Sequence, residues 1–211
     1  MCSTIPNVVL LSSSKMPLIA FGTASSSNHP QIVKAAVIEA IKVGYRHFDT
    51  ASIYGSEQAL GEAIAEALKL RLIASRDELF ITSKLWIRGV ESCVAAEESE
   101  RILQSKGIVV IAYSPLGAKG SHWGSNEVMD NEVLKQIADA HGKTVAQVSL
   151  RWQYEQGVTF AVKSYNKDRI KENFEIFDFS LTNDDNQKID EIKQERKVKT
   201  FVISDLWDEE N

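Results

Sequence analysis

The chain has 211 residues, 44% of them hydrophobic, which is enough to bury one sizeable core in a single domain and excludes disorder as its default state. Its formal charge of −5 comes from 24 Lys and Arg against 29 Asp and Glu with no basic block, so no nucleic-acid partner is expected. Two cysteines, Cys2 and Cys93, match neither a disulfide framework nor a metal-ligand spacing, and no stretch resembles a secretory leader or the roughly 18 apolar residues of a membrane span, so a soluble, cytoplasmic protein without a metal site is expected.

Short apolar runs alternate with amphipathic stretches, the pattern of parallel strands separated by covering helices. Residues 8–11 and 16–21 read as strands around the polar turn Ser12-Ser13-Ser14. Pro30 opens a helix whose apolar positions Ile32, Val33, Ala36, Val37, Ala40 and Ile41 recur at helical spacing, and Gly44 closes it. Residues 45–49 form the next strand, and Ser56 is the expected N-cap of a helix over residues 57–68. A strand over 79–85, one helix within 86–106 and an unbroken apolar strand over 107–113 follow. Past a Gly-rich loop, helices run over residues 131–140 and from the cap Thr144 to Tyr154, ending at Gly142 and Gly157. Residues 158–162 are the last strand, and two short helices follow, near residues 168–174 and after the cap Thr182.

In parallel α/β folds reactive groups sit at the C-terminal strand ends and in the loops beyond them. Asp49 ends one strand, Tyr54 lies in the next loop and Lys84 lies near the end of the following strand. Any one of these residue types is more often structural than catalytic. Together an Asp and a Lys can neutralise one another, and an ammonium beside a tyrosine lowers the pKa of its hydroxyl, making a general acid usable near neutral pH. His29 and His141 read as surface residues and His47 as a satisfied core or rim histidine, while Val145, Val148, Leu150 and Trp152 read as packing.

The stretch Phe48-Asp49-Thr50-Ala51-Ser52-Ile53-Tyr54-Gly55-Ser56-Glu57 resembles the active-site segment of the aldo-keto reductases. Met16-Pro17-Leu18-Ile19-Ala20-Phe21-Gly22-Thr23 resembles that family's first barrel strand, and Ile81-Thr82-Ser83-Lys84-Leu85-Trp86 the strand with its catalytic lysine. The resemblance implies an NADPH-dependent oxidoreductase reducing an aldehyde or ketone, with Tyr54 as proton donor tuned by Lys84 and Asp49. It further implies a cofactor held by Gly22, Thr23 and Asp49, by Tyr113 stacked on the nicotinamide and by Ser114 and Leu116 near the phosphates. Lys163-Ser164-Tyr165-Asn166-Lys167-Asp168-Arg169-Ile170-Lys171-Glu172-Asn173 resembles the segment gripping the adenosine 2′-phosphate, with Lys163 and Arg169 as its cations, Ser164 and Asn166 as polar contacts, and Glu172 and Asn173 at the adenine. Within that family, the loop from Ala118 to Asn126 most resembles the plant chalcone- and ketone-reductase branch.

The implied fold is a (β/α)8 TIM barrel with an N-terminal β-hairpin, yet only about five strands can be counted. A whole barrel takes about 250 residues. The shortage falls between Leu85 and Gly107, and none of His29, His47, His122 or His141 fits the motif of the family's catalytic histidine. The surviving strands are expected to form one parallel sheet whose centre joins the first strand to the last, with the strands of Lys84 and Tyr113 at its edges. Open edges of this kind favour self-association. The alternative to an active reductase is a catalytically impaired splice or gene-model fragment, a pseudoenzyme serving as a nucleotide-binding or interaction protein.

Overall fold

The computed structural model describes residues 6–10, 13–24, 29–84, 111–112, 114–117, 119 and 124–192. It opens on an antiparallel hairpin in which β1 (Asn7–Val9) pairs with β2 (Lys15–Pro17), Val8 facing Met16. The single strand expected over residues 16–21 is divided at Leu18, where the chain leaves the hairpin and enters another sheet as β3 (Ile19–Gly22). All of β3 is buried, as the centre of a parallel sheet covered on both faces requires.

That sheet has five parallel strands, β3 being joined by β4 (His47–Asp49), β5 (Phe80–Thr82), β6 (Ile111–Ala112) and β7 (Thr159–Val162). Their order is β5-β4-β3-β7-β6, so Phe21 faces Phe48 on one side and Val162 on the other. This is the expected arrangement, with the first and last strands adjacent at the centre and β5 and β6 paired on one side only among the described residues.

Helix α1 (Pro30–Val43) starts on a proline that needs no N–H partner and buries Val33, Ala36, Val37, Ala40 and Ile41. It stops at Gly44, whose φ of 123° suits glycine and where an added Cβ would come within 2.9 Å of the Phe174 ring. Helix α2 (Glu57–Lys69) packs beside it and buries Ala59, Leu60, Ala63 and Ala67, three of them small enough to let neighbouring elements approach. Ser56 does not cap α2: its backbone is already helical and its hydroxyl is drawn into bonds with Thr23 and Thr50.

The C-terminal part holds α3 (Glu127–Asp130), α4 (Glu132–His141), α5 (Val145–Glu155), α6 (Lys167–Glu172) and α7 (Asn183–Asp190). Asn131 and Asn166 cap α4 and α6, and capping boxes open α5 at Thr144 and α7 at Thr182. The main core gathers around the sheet, where Phe21 meets Tyr45 and Phe48 edge to face at 5.5 and 6.1 Å. Each such ring contributes about 1.5–3 kcal/mol by leaving water. Burial also pushes the Tyr45 pKa up, and its hydroxyl donates to the Ile170 carbonyl. A second core of Leu134, Ile137, Ala138, Val148, Leu181 and Ile189 joins α4, α5 and α7. His141, expected at the surface, is instead partly buried there, 2.8 Å from Asp185, because the end of α4 packs on α7. The helix expected within residues 86–106 lies outside the described residues.

Candidate active site

The parallel register fixes the site. Asp49 ends β4 opposite Thr82 on β5, and the Thr50 N–H donates to the Thr82 carbonyl at 2.8 Å, carrying the ladder one step past the strand. Lys84, two residues beyond β5, therefore stands beside Asp49, its Nζ 2.6 Å from Asp49 Oδ1 and 3.0 Å from the Thr50 carbonyl oxygen. The Asp49 side chain is only 12% exposed, so its charge needs this partner, whereas Lys84 keeps 45% of its side chain in the open. Tyr54 sits on the 3-10 turn Ser52–Tyr54, which Gly55 closes at φ 60°, and its ring centroid is 4.8 Å from Lys84 Nζ. The three residues are thus brought together on one rim.

Behind them lie three buried hydroxyls that the sequence reading missed in this role. Thr23 Oγ1 donates to the Asp49 carbonyl at 3.1 Å and bonds to Ser56 Oγ at 2.8 Å, and Ser56 Oγ bonds to Thr50 Oγ1 at 3.0 Å. Their signal in the sequence was present but faint: Thr50 and Ser56 stand inside the Phe48 to Glu57 stretch and Thr23 closes the Met16 to Thr23 stretch.

The last third reaches the same rim. The Tyr165 hydroxyl donates to the Thr23 and Ala24 carbonyls at 3.3 and 3.0 Å, and Lys163 Cβ would lie 3.6 Å from a Cβ added to Gly22. Lys163 is exposed, its Nζ 5.3 Å from the Tyr165 ring, and partial desolvation lowers its pKa; it has no carboxylate partner among the described residues. Ser164 Oγ accepts from the Asn166 N–H, while Asn166 Oδ1 accepts from the Arg169 N–H, leaving the Asn166 amide N–H groups to reach outward. Glu172 Oε1 accepts from the Thr144 hydroxyl at 2.7 Å, and Asn173 is buried. Ser114 holds a positive φ of 53° at the head of a turn closed by the Gly117 N–H, and Leu116 packs on the main core. Gly117 is required, since with φ at 86° an added Cβ would meet Ser125 O at 2.6 Å. Tyr113 lies outside the described residues.

His47 is saturated, Nδ1 bonding to Pro17 O at 2.9 Å and Nε2 to Thr82 Oγ1 at 2.8 Å. Among the described residues no three His, Cys, Asp or Glu converge on a metal position, and no helix is long and apolar enough to cross a membrane.

A half-barrel of parallel strands with a paired Lys and Asp beside a Tyr defines a class, and the comparisons agree with it. The sequence matches the Aldo/keto reductase family over residues 18–105 and 92–194. It is 36% identical, over 310 aligned positions covering 98% of each chain, to the NAD(P)H-dependent 6'-deoxychalcone synthase of Glycine max. It is 34% identical over 316 positions, again 98% of each chain, to the NADPH-dependent codeinone reductase 1-4 of Papaver somniferum. In structure it is similar to the Bombyx mori aldo-keto reductase solved in complex with NADP, with a TM-score of 0.81, 25% identity and 97% of each chain covered. The chain belongs to the aldo/keto reductase family. Because 310 aligned positions exceed its 211 residues, at least 99 of them face a gap in this chain.

Proposed function

We propose that the chain reduces the carbonyl group of an aldehyde or ketone to an alcohol in the cytoplasm, with NADPH as co-substrate and Tyr54 as proton donor. The observation that carries this reading is the ammonium of Lys84 between Asp49 and the Tyr54 ring, 2.6 Å from the carboxylate and 4.8 Å from the ring centroid. Held there, the ammonium stabilises the charge left on the phenol oxygen as its proton passes to the carbonyl oxygen. Asp49 holds the lysine at the rim through the 2.6 Å contact. NADPH supplies a hydride for the carbonyl carbon when bound.

The residues present suit its phosphates. Lys163 is a partly desolvated cation without a carboxylate partner among the described residues, an arrangement that an anionic group relieves. Arg169, Ser164, the Asn166 amide and Ser114 line the approach, while Glu172, held by Thr144, and Asn173 belong to the adenine end. Thr23 serves from behind, its hydroxyl already spent on Asp49. Gly22 leaves the rim open beside Lys163, and Leu116 supports the phosphate loop.

A second reading, a nucleotide-binding or interaction pseudoenzyme lacking the middle of the barrel, is favoured by the alignment gap and by family matches that overlap on residues 92–105. The edges of β5 and β6, unpaired on one side among the described residues, make self-association part of it. Titrating the purified chain with NADPH by fluorescence, alongside carbonyl reduction by the parent and Tyr54→Phe, separates the two. Turnover lost in the variant is the expected result; binding without turnover favours the pseudoenzyme, and neither would sink both.

A further inference from the structure

We propose that Ser56 is a positioning residue, the middle of a one-way hydroxyl chain that sets the Thr50 carbonyl on which the Lys84 ammonium rests. This deepens the reading of Tyr54 and Lys84 given above and rests on it. The direction of the chain follows from counting protons. Each hydroxyl has one to give, and a backbone carbonyl has none. Thr23 spends its proton on the Asp49 carbonyl at 3.1 Å, so in the 2.8 Å contact between Thr23 and Ser56 the serine must donate. Ser56 has then nothing left for Thr50, so in their 3.0 Å contact Thr50 donates. The order is Thr50 to Ser56 to Thr23 to the Asp49 carbonyl, with Thr23, Thr50 and Ser56 all buried. Only a residue that both donates and accepts can stand in the middle.

Both ends of the chain act on the catalytic pair. At one end Thr23 O–H and N–H together hold the Asp49 carbonyl. At the other, Thr50 is pinned through its hydroxyl and through its N–H to Thr82, which leaves its carbonyl aimed at Lys84 Nζ at 3.0 Å. The ammonium therefore has two fixed acceptors, the Asp49 carboxylate and the Thr50 carbonyl. Removing the Ser56 hydroxyl frees Thr50 to turn, and the ammonium loses the second of them. The same proton count means that Thr23 can only accept, never donate, toward anything bound above it.

The test uses the whole chain with Ser56→Ala, Thr50→Val, which deletes the hydroxyl at similar volume, and Thr50→Ser, which keeps it. The first readout needs no turnover: the Lys84 ammonium signal of lysine-labelled protein by 15N NMR, identified by its loss in Lys84→Met. We expect a hydrogen-bonded, slowly exchanging signal in the parent and in Thr50→Ser that broadens away in Ser56→Ala and Thr50→Val. The second readout is kinetic: kcat falling roughly tenfold to a hundredfold in the two deletions, with KM for the carbonyl within about twofold and Thr50→Ser restoring most of the rate. If Ser56→Ala fails to fold, Thr50→Val carries the comparison alone. A Lys84 signal absent from the parent, or unchanged in both deletions, overturns the proposal. A responsive signal in a chain without turnover upholds it while the reductase reading fails.

Discussion

His47 and Asp49 lie two residues apart on one three-residue strand, both are buried, and they are finished differently. His47 has each ring nitrogen matched, to Pro17 O and to Thr82 Oγ1, within the protein. Asp49 is matched by a lysine that remains 45% exposed and stands beside a tyrosine on a surface turn. One end of β4 is closed and serves stability; the other keeps a charge within reach of solvent and so can serve chemistry. A buried ionisable group alone does not mark an active site. What marks it is the valence left facing outward.

The comparison breaks most visibly at Lys84. Lys84→Met should lower carbonyl reduction by about a hundredfold or more while the circular dichroism spectrum stays that of the parent. A variant within a few-fold of the parent would remove Lys84 from the chemistry. At the closed end, His47→Leu leaves Pro17 O and Thr82 Oγ1 unpaired in the core and should cost about 2–4 kcal/mol in urea unfolding, with binding and rate changed much less. On the proposed reading, Lys163→Met should weaken NADPH binding about tenfold with kcat nearly retained, since it removes a cation facing the phosphates and leaves Asp49, Tyr54 and Lys84 untouched.

A smaller effect concerns pH. Burial lowers the His47 pKa, although its bond to Pro17 O and the nearby Asp49 charge pull the other way. The unfolded chain then binds the proton more readily than the folded one. The stability held in a neutral His47 is complete above about pH 6.5 and declines as pH falls from there through the folded value. Urea midpoints between about pH 6.5 and 5 should slope less in His47→Gln than in the parent, and equal slopes would assign the acid sensitivity elsewhere. Least affected should be Asp178→Asn, which breaks an ion pair to Lys143 whose carboxylate side is mostly in water; a change under about 1 kcal/mol is expected.

The strands and the closeness of Asp49, Tyr54 and Lys84 left a trace in the sequence, as apolar runs with odd polar residues at their ends, whereas the order of the strands came only from the resemblance to a closed barrel. The tertiary partners of neutral side chains leave no such trace. Ser56 sits where a helix cap is normally read, and only the approach of β3 shows that its hydroxyl turns toward Thr23 instead. His141 looked like a surface residue because its partner Asp185 is 44 positions away. Leu18 divides one apolar run into two strands with different neighbours, which no local pattern records.

The central pairing of the sheet carries a consequence for synthesis. Ile19 is matched with Phe160, so the first-made strand of the five-stranded sheet waits for one of the last before its second flank is covered. Until residue 162 has cleared the ribosome, β3 has β4 alone beside it among the described strands. A nascent chain in that interval presents a long apolar flank to its surroundings, and yield in the cell should depend on chaperones that shelter it during that wait.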